Sequence, residues 1–177
     1  DFSKAFDMVC HMAMHLKLHT IGISTKMLNN IMRLYKNMKA RVRINGDHTE
    51  EFDVKVGTAQ GCVLSPTLFN IYIQDLMEEL EKSGLAVQTL AYADDIVIIA
   101  DSAEKLQKLI KICADWTGKW RMAANVGARE KSAVMIVKHN IRSHLDIPEF
   151  KYFKKTLPVV EKYKYLGVYF DNKLDFT

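Results

Sequence analysis

The chain has 177 residues, of which 49% are hydrophobic and 26% charged, and its formal net charge is +4. This length and composition predict one folded domain with a sizeable core and exclude a disordered chain. No apolar run is long enough to predict a membrane-spanning helix, and no signal peptide is expected. Three cysteines without metal-type spacing predict reduced thiols of an intracellular protein, with the nucleus and cytoplasm as the expected compartments.

Two helices and a hairpin are predicted in the first third of the chain. Residues 8–21 form the first predicted helix, and residues 24–38 carry apolar side chains at helical spacing. Residues 41–56 alternate toward a turn at Asn45-Gly46, which predicts a β-hairpin.

Most of the same third of the chain carries positive charges without negative ones. No acidic residue occurs between Met8 and Gly46. Such a basic face is typical of proteins that contact a phosphate backbone, although a solvated helix surface is the alternative. Basic residues of this segment include Lys17 and Lys26, together with the predicted nucleic-acid contacts Arg33, Lys36, Lys39, Arg41 and Arg43.

Three histidines recur at every fourth position of the first predicted helix. This spacing places His11, His15 and His19 along one helix face. Zinc binding would require a fourth ligand that the sequence does not offer, so we expect partly exposed residues near nucleic acid.

The central segment predicts a loop that leads into a buried helix. The loop runs from Gly57 to Gly61, and the apolar helix extends over residues 65–82. Ser65 is the predicted N-cap and Pro66 the first helical residue, because these residue types favour those positions.

Two adjacent carboxylates interrupt an apolar segment at residues 87–100. We predict a hairpin in which Asp94 and Asp95 lie at the turn and Ile96 begins the returning strand. Hard divalent cations bind carboxylate oxygens, which indicates a metal site. An acidic surface turn is the alternative, since Asp favours turns.

The last third predicts one helix followed by short strands. The helix starts after Ser102, a strand follows over residues 132–138, and a hairpin surrounds Gly167. The whole pattern predicts an α+β fold with an antiparallel sheet on one face and helices on the other.

Five motifs in this order resemble the reverse transcriptase domain of non-LTR (LINE-type) retrotransposons. They are residues 1–7, the Gln60-Gly61 segment with its helix start, residues 92–95, residues 131–135 and residues 163–168. The resemblance implies a polymerase palm over residues 1–162, then a primer-grip hairpin and the start of the thumb over residues 163–177. It also implies that the fingers segment, which precedes the palm in the family, is truncated here.

The resemblance assigns the metal-binding and catalytic roles. Asp1, Asp94 and Asp95 would hold two Mg²⁺ ions, with Mn²⁺ as an alternative, and Asp95 would be the less direct ligand. Lys131 would protonate or neutralise the leaving pyrophosphate, although a surface lysine is the alternative.

Further positions would contact substrates. Phe6 would lie under the sugar and exclude a 2′-hydroxyl, with an ordinary core phenylalanine as the alternative. Gln60, Gly61 and Tyr92 would contact the nucleotide and template. The primer backbone would be gripped by Tyr165, Leu166 and Gly167.

The implied function is RNA-directed DNA polymerisation within a retrotransposon polyprotein. Its partners would be an RNA template, a DNA primer and deoxynucleoside triphosphates, without a membrane. Two alternatives stay open: a non-catalytic nucleic-acid-binding remnant, and a relative such as a group II intron maturase.

Overall fold

A computed structural model describes residues 1–126, 131–137 and 147–174. Four α-helices form its helical part, and a short 3-10 helix precedes them. The 3-10 helix covers Ala5–Met8, and the α-helices are α1 (His11–Thr20), α2 (Thr25–Lys36), α3 (Ser65–Lys82) and α4 (Ala103–Trp120). All four lie where the sequence predicts helices. No helix of the described ranges is both long and apolar enough to cross a membrane.

Two helices begin at the side-chain caps that stabilise them. The Ser24 hydroxyl accepts a hydrogen bond from the Met27 amide at 3.4 Å, and the Ser102 hydroxyl accepts one from the Lys105 amide at 3.2 Å. Each bond satisfies an amide that the first helical turn would leave free.

The predicted cap of α3 is wrong. Ser65 is the first residue of α3, after Leu64 at the N-cap position. Leu64 offers no side-chain cap, and the buried Ser65 hydroxyl donates to the Ala59 carbonyl at 2.6 Å. Ser65 instead fastens the preceding loop to α3.

Twelve short strands accompany the helices in the described part of the chain. They are β1 (Lys39–Ala40), β2 (Arg43–Ile44), β3 (Asp47–His48), β4 (Phe52–Asp53), β5 (Gln88–Tyr92), β6 (Asp95–Ile99), β7 (Val134–Met135), β8 (Phe150–Tyr152), β9 (Lys155–Leu157), β10 (Val159–Val160), β11 (Lys162–Tyr165) and β12 (Val168–Asp171).

The strands pair two by two. Antiparallel pairs are β1–β4, β2–β3, β5–β6, β8–β9 and β11–β12, whereas β7 and β10 run parallel. The α+β class is confirmed, and the pairing is mostly antiparallel as predicted. The single predicted sheet is replaced, in the described ranges, by separate two-stranded pieces, because most strands have only two to four residues.

Tight turns join the strands of two hairpins at the predicted places. Asn45-Gly46 between β2 and β3 has positive φ at both residues, as does Leu166-Gly167 between β11 and β12. Two left-handed residues match the right-handed twist of antiparallel strands. The register of each pair follows from this geometry.

The main core lies between α1, α3 and α4. Its largest fully buried side chains include Trp116, Tyr72 and Phe69. A second cluster packs Phe150 and Tyr152 against the other side of α4. Helix α4 is therefore shared by both clusters and links the first half of the chain to the last.

Lys17 does not belong to the basic face, contrary to the sequence prediction. It is 7% exposed, and its ammonium group donates to the Tyr72 carbonyl at 2.5 Å and to Asp75 at 2.6 Å. The same group lies 4.0 Å from the centre of the Trp120 ring. Because α1 is apolar on nearly every side, helical periodicity could not show that this lysine faces inward.

Some predictions extend beyond the described ranges. The predicted strand over residues 132–138 is observed as β7 alone, and residue 138 lies outside the described residues. The same is true of residues 175–177 at the end of the predicted primer-grip segment.

Candidate active site

The Asp1 segment is held against the chain that follows α4. The Asp1 carbonyl accepts a bond from the Asn125 amide at 2.9 Å, and the Ser3 amide donates to the Ala123 carbonyl at 2.8 Å. Phe2 forms an antiparallel bridge with Ala124 between these bonds. The Asp1 side chain is thereby fixed in a largely buried position, 9% exposed.

The β5–β6 hairpin forms as predicted, but its turn contains only one of the two predicted carboxylates, Asp94. Asp95 is the first residue of β6 and pairs with Tyr92, so the turn itself consists of Ala93 and Asp94. Ala93 has a φ of 51°, in the left-handed region. In the described part of the chain, the Asp94 and Asp95 side chains have no hydrogen bond or ion pair, and the carboxylates remain available to a ligand.

Electrostatics show that the turn lies near Asp1. Burial lowers the pKa of the Asp1 amino group, while the negative charges of Asp95 and Asp94 act to raise that pKa. The fold therefore brings Asp1 within electrostatic range of two carboxylates that are more than ninety positions away in sequence.

Lys131 completes this cluster. Its ammonium group lies 3.4 Å from an Asp1 carboxylate oxygen, and its side chain is 65% exposed. The Tyr163 hydroxyl donates a hydrogen bond to the Lys131 carbonyl and ties the β11–β12 hairpin to this segment. Nothing in the sequence spacing indicates the contact between Tyr163 and Lys131.

The predicted primer-grip hairpin lies beside the same carboxylates. Burial raises the pKa of Tyr163 and of Tyr165, and the charge of Asp95 raises both further. Leu166 and Gly167 form the exposed turn of this hairpin. Tyr92 is 67% exposed on the neighbouring strand.

A second cluster joins the 3-10 helix to the loop before α3. The Thr58 amide donates to the Phe6 carbonyl at 2.7 Å, and the Gly57 amide donates to the Val9 carbonyl at 2.8 Å. The Phe6 ring packs on Phe69 with centroids 4.7 Å apart. Phe6 is thus supported from the core and remains partly exposed.

Asp7 has a role that the sequence does not reveal. Asp7 lies inside the 3-10 helix, and its carboxylate accepts a bond from the Gln60 amide at 2.8 Å. This bond orients the Gln60 side chain next to Phe6. Gly61 follows with a positive φ of 80°, and no atom lies within 4 Å of the place where a Cβ would be.

The predicted nucleic-acid contacts divide into two groups. Arg41 lies 2.6 Å and Lys39 3.5 Å from Glu51, which partly neutralises both. Arg33, Lys36 and Arg43 are exposed and have no ion-pair partner among the described residues.

The histidines of α1 do not form a metal site. His15 and His19 are exposed, whereas His11 is half-buried, stacks beside Tyr35 and contacts the Gly57 carbonyl through Nε2 at 2.7 Å. Within residues 1–126, 131–137 and 147–174, no three His, Cys, Asp or Glu side chains are grouped closely enough to hold one ion.

The donor set at Asp1, Asp94 and Asp95 nevertheless suits a hard divalent cation. Oxygen ligands are those that Mg²⁺ prefers, and in the ranges that the structure describes no cation forms an ion pair with Asp94 or Asp95. Mg²⁺ sites commonly use one or two carboxylates and complete the coordination with water and substrate phosphates. A closed cage of protein ligands is therefore not required for the residues to fit such an ion.

Comparison with known proteins supports the same family as the motifs. Residues 1–170 match the family described as "Reverse transcriptase (RNA-dependent DNA polymerase)". The chain is 30% identical to the RNA-directed DNA polymerase from mobile element jockey of Drosophila funebris, covering 99% of this chain and 19% of that protein.

Two further relatives are similar over nearly the whole of this chain. The Pol polyprotein from the type-1 retrotransposable element R2 of Popillia japonica is 27% identical over 97% of this chain and 30% of its own length. A probable RNA-directed DNA polymerase from the transposon X-element of Drosophila melanogaster is 25% identical over the whole chain and 19% of its own length. The chain thus spans between a fifth and a third of these relatives. Because the family match covers nearly all of it, this chain belongs to the reverse transcriptase (RNA-dependent DNA polymerase) family.

Proposed function

We propose that this chain is the catalytic palm of an RNA-directed DNA polymerase of the non-LTR retrotransposon type. It adds deoxynucleotides to a primer 3′-hydroxyl on an RNA template. The observation that carries the proposal is that Asp1 forms an ion pair with Lys131 and lies within electrostatic range of Asp94 and Asp95. In this assignment the palm covers residues 1–162, and the primer-grip hairpin with the start of the thumb covers residues 163–177.

The metal ligands in this proposal are Asp1 and Asp94, with Asp95 as a supporting carboxylate. These residues would hold two Mg²⁺ ions, or Mn²⁺ in their place, which when bound would stabilise the negative charge that develops during phosphoryl transfer. Asp1 contributes a preorganised ligand, because backbone bonds to Asn125 and the chain around it fix its position. Lys131 provides a positive charge and a proton close to Asp1, where the leaving pyrophosphate would lie.

Selection of the incoming nucleotide rests on Phe6 and Gln60. Phe6 is held by Phe69 and would clash with a ribose 2′-hydroxyl. Gln60, oriented by Asp7, offers its remaining amide groups to the nucleotide, and Gly61 allows close approach of the backbone. Tyr92 lies at the catalytic turn and contributes to the same surface.

Two further surfaces are assigned to the primer and the template. Tyr165, Leu166 and Gly167 hold the primer backbone beside the carboxylates. Basic side chains of α2 and the following strands contact nucleic-acid phosphates, with Arg33, Lys36 and Arg43 contributing more than the paired Lys39 and Arg41. The parent protein would act inside the cell, in the cytoplasm and nucleus.

The test is primer extension on an RNA template in the presence of Mg²⁺. Asp94→Asn is expected to lower incorporation by about a thousandfold or more, because loss of a metal ligand removes several kcal/mol of transition-state stabilisation. The matched control is Asp101→Asn, which neutralises an exposed aspartate paired with Lys105. A non-catalytic remnant would bind the template equally well with either substitution. Equal incorporation by Asp94→Asn and Asp101→Asn would refute the proposal.

A further inference from the structure

A cleft of about 680 Å³ opens between α2 with the residues that follow it and the segment 53–55, and none of Asp1, Asp94 and Asp95 lines it. Three of the side chains that line it are cationic: Arg33, Lys36 and Lys55. None of the three has an ion-pair partner in the described ranges. Asp53 is the acidic residue of the lining, so the cleft keeps an excess of positive charge.

The three cations of the cleft differ from nearby basic residues because those residues are paired with an acidic side chain. Lys39 and Arg41, on the same segment, share Glu51 and are partly neutralised. Lys55 lies outside the acid-free stretch that the sequence singles out and was not predicted to bind nucleic acid. Folding brings it next to Arg33 and Lys36, which makes a three-cation site that no linear pattern shows.

The interior of the cleft has a different chemistry from its charged rim. Met32 and Met38 are half-buried in the lining, and the half-buried ring of His11 lies beside them. Flexible, polarisable thioethers and an imidazole are suitable surfaces for a flat aromatic base. Proteins that bind single strands combine a positively charged groove with rings on which bases stack, and the rings in this lining are those of His11 and Tyr35.

We propose that this cleft binds a single strand of nucleic acid, with phosphates at Arg33, Lys36 and Lys55 and an unpaired base against Met32 and Met38. A duplex keeps its bases paired and stacked, so their faces cannot reach a recessed floor. The volume lies within the range of pockets that hold one small ligand. The occupant is therefore a short stretch of strand, a nucleotide or two in length.

The cleft is linked directly to the loop that carries Gln60. His11 lines the cleft and contacts the Gly57 carbonyl at 2.7 Å, and Lys55 precedes that glycine by two residues. A strand held in the cleft would therefore lie next to the loop assigned to nucleotide and template. The occupant is then the single-stranded template on its way to the active site, an assignment that rests on the proposed function.

The test is binding of a short mixed-sequence RNA, measured by fluorescence anisotropy in EDTA and without nucleotide. A triple variant, Arg33→Gln, Lys36→Gln and Lys55→Gln, is compared with the wild type between about 50 and 200 mM salt. We expect the slope of log K against log salt to become less steep by about 2, since each phosphate contact contributes roughly 0.7 for a single strand. The affinity for single-stranded RNA should fall about tenfold or more.

A control variant removes the same total charge elsewhere. Lys105→Gln, Lys108→Gln and Lys111→Gln neutralise three lysines of α4 and should leave the slope unchanged. An unchanged slope in the cleft variant, or an equal loss in the α4 variant, would overturn the proposal. So would equal weakening of duplex and single-strand binding, because that result indicates a general basic surface. The measurement involves neither metal nor catalysis, and its failure is distinguishable from failure of the polymerase assignment.

Discussion

Individual side chains in this chain take their roles from burial and partners that the sequence does not display. Lys17 illustrates this point, because it is one of several lysines in a basic segment, yet its ammonium group lies among Tyr72, Trp116 and Trp120. Asp75 accepts from both Lys17 and the Trp116 indole, so one carboxylate connects α1, α3 and α4. The charge of Lys17 is retained inside the protein by this set of contacts.

The first prediction concerns the pH dependence of stability. Burial lowers the pKa of Lys17 from 10.5 to about 8. At Lys17 the unfolded chain binds more protons than the folded one between these pH values, so this residue should contribute a rise with pH to the free energy of unfolding, by about 3 kcal/mol at most. Lys17→Met should remove this rise, whereas Lys26→Met, at an exposed lysine, should keep it. Urea denaturation across this pH range measures the slope, and a slope that persists in Lys17→Met contradicts the assignment.

Phe6 carries the second prediction at the scale of a residue. Phe6→Val removes the ring that would meet a ribose 2′-hydroxyl. Incorporation of ribonucleotides relative to deoxynucleotides should increase about tenfold or more, which corresponds to roughly 1.4 kcal/mol of lost discrimination. The ratio is independent of how much of the variant is folded, since both substrates are assayed on the same sample. An unchanged ratio would leave Phe6 as a core residue packed on Phe69.

Short elements in this fold are positioned by contacts with distant segments. The 3-10 helix Ala5–Met8 lies against the loop that begins at Gly57, and the β11–β12 hairpin is tied to Lys131 through Tyr163. Each of these elements is too short to hold its conformation alone. These contacts bring Phe6 next to the loop that carries Gln60, and the β11–β12 hairpin next to Lys131.

The prediction at the scale of the elements concerns the stability cost of replacing Gly57. A Cβ at this position would lie 2.9 Å from the Asp7 carbonyl oxygen, and the φ of Gly57 is +93°. Gly22 is the matched control, because its φ is +85° but no atom lies within 4 Å of its Cβ position. Gly22→Ala should cost about 1 kcal/mol for the left-handed conformation. Gly57→Ala should cost about 1 to 3 kcal/mol more for the close contact, and urea denaturation compares the two. Equal losses would mean that the loop does not depend on this approach.

At the scale of the whole molecule, the sequence predicts elements better than their assembly. All four helices, the turns at Asn45-Gly46 and Leu166-Gly167, and the Asp94 hairpin follow from local periodicity and turn chemistry. Sequence could not predict the burial of Lys17 or the bond between Asp7 and Gln60, because such contacts join residues more than fifty positions apart. The membership of Lys55 in the basic cleft likewise depends on tertiary packing.

In the candidate active site, too, the sequence identifies residues but not the contacts between them. Motif resemblance identifies Asp1, Asp94 and Lys131, and the contact between Lys131 and Asp1 forms because the chain that follows α4 returns to the Asp1 segment. Neither composition nor hydrophobic periodicity could predict that the chain returns to the Asp1 segment after α4. The family resemblance therefore supplies the roles, while packing supplies the distances on which a metal site depends.

The central claim is that Asp1 and Asp94 together hold divalent ions. Its most direct measurement is Mn²⁺ binding followed by electron paramagnetic resonance, in which the signal of free Mn²⁺ decreases as the ion binds. We predict that the chain binds Mn²⁺, that Asp1→Asn and Asp94→Asn each weaken binding about tenfold or more, and that Asp101→Asn binds as the wild type does. Binding by Asp1→Asn and Asp94→Asn that equals binding by the wild type would contradict the claim.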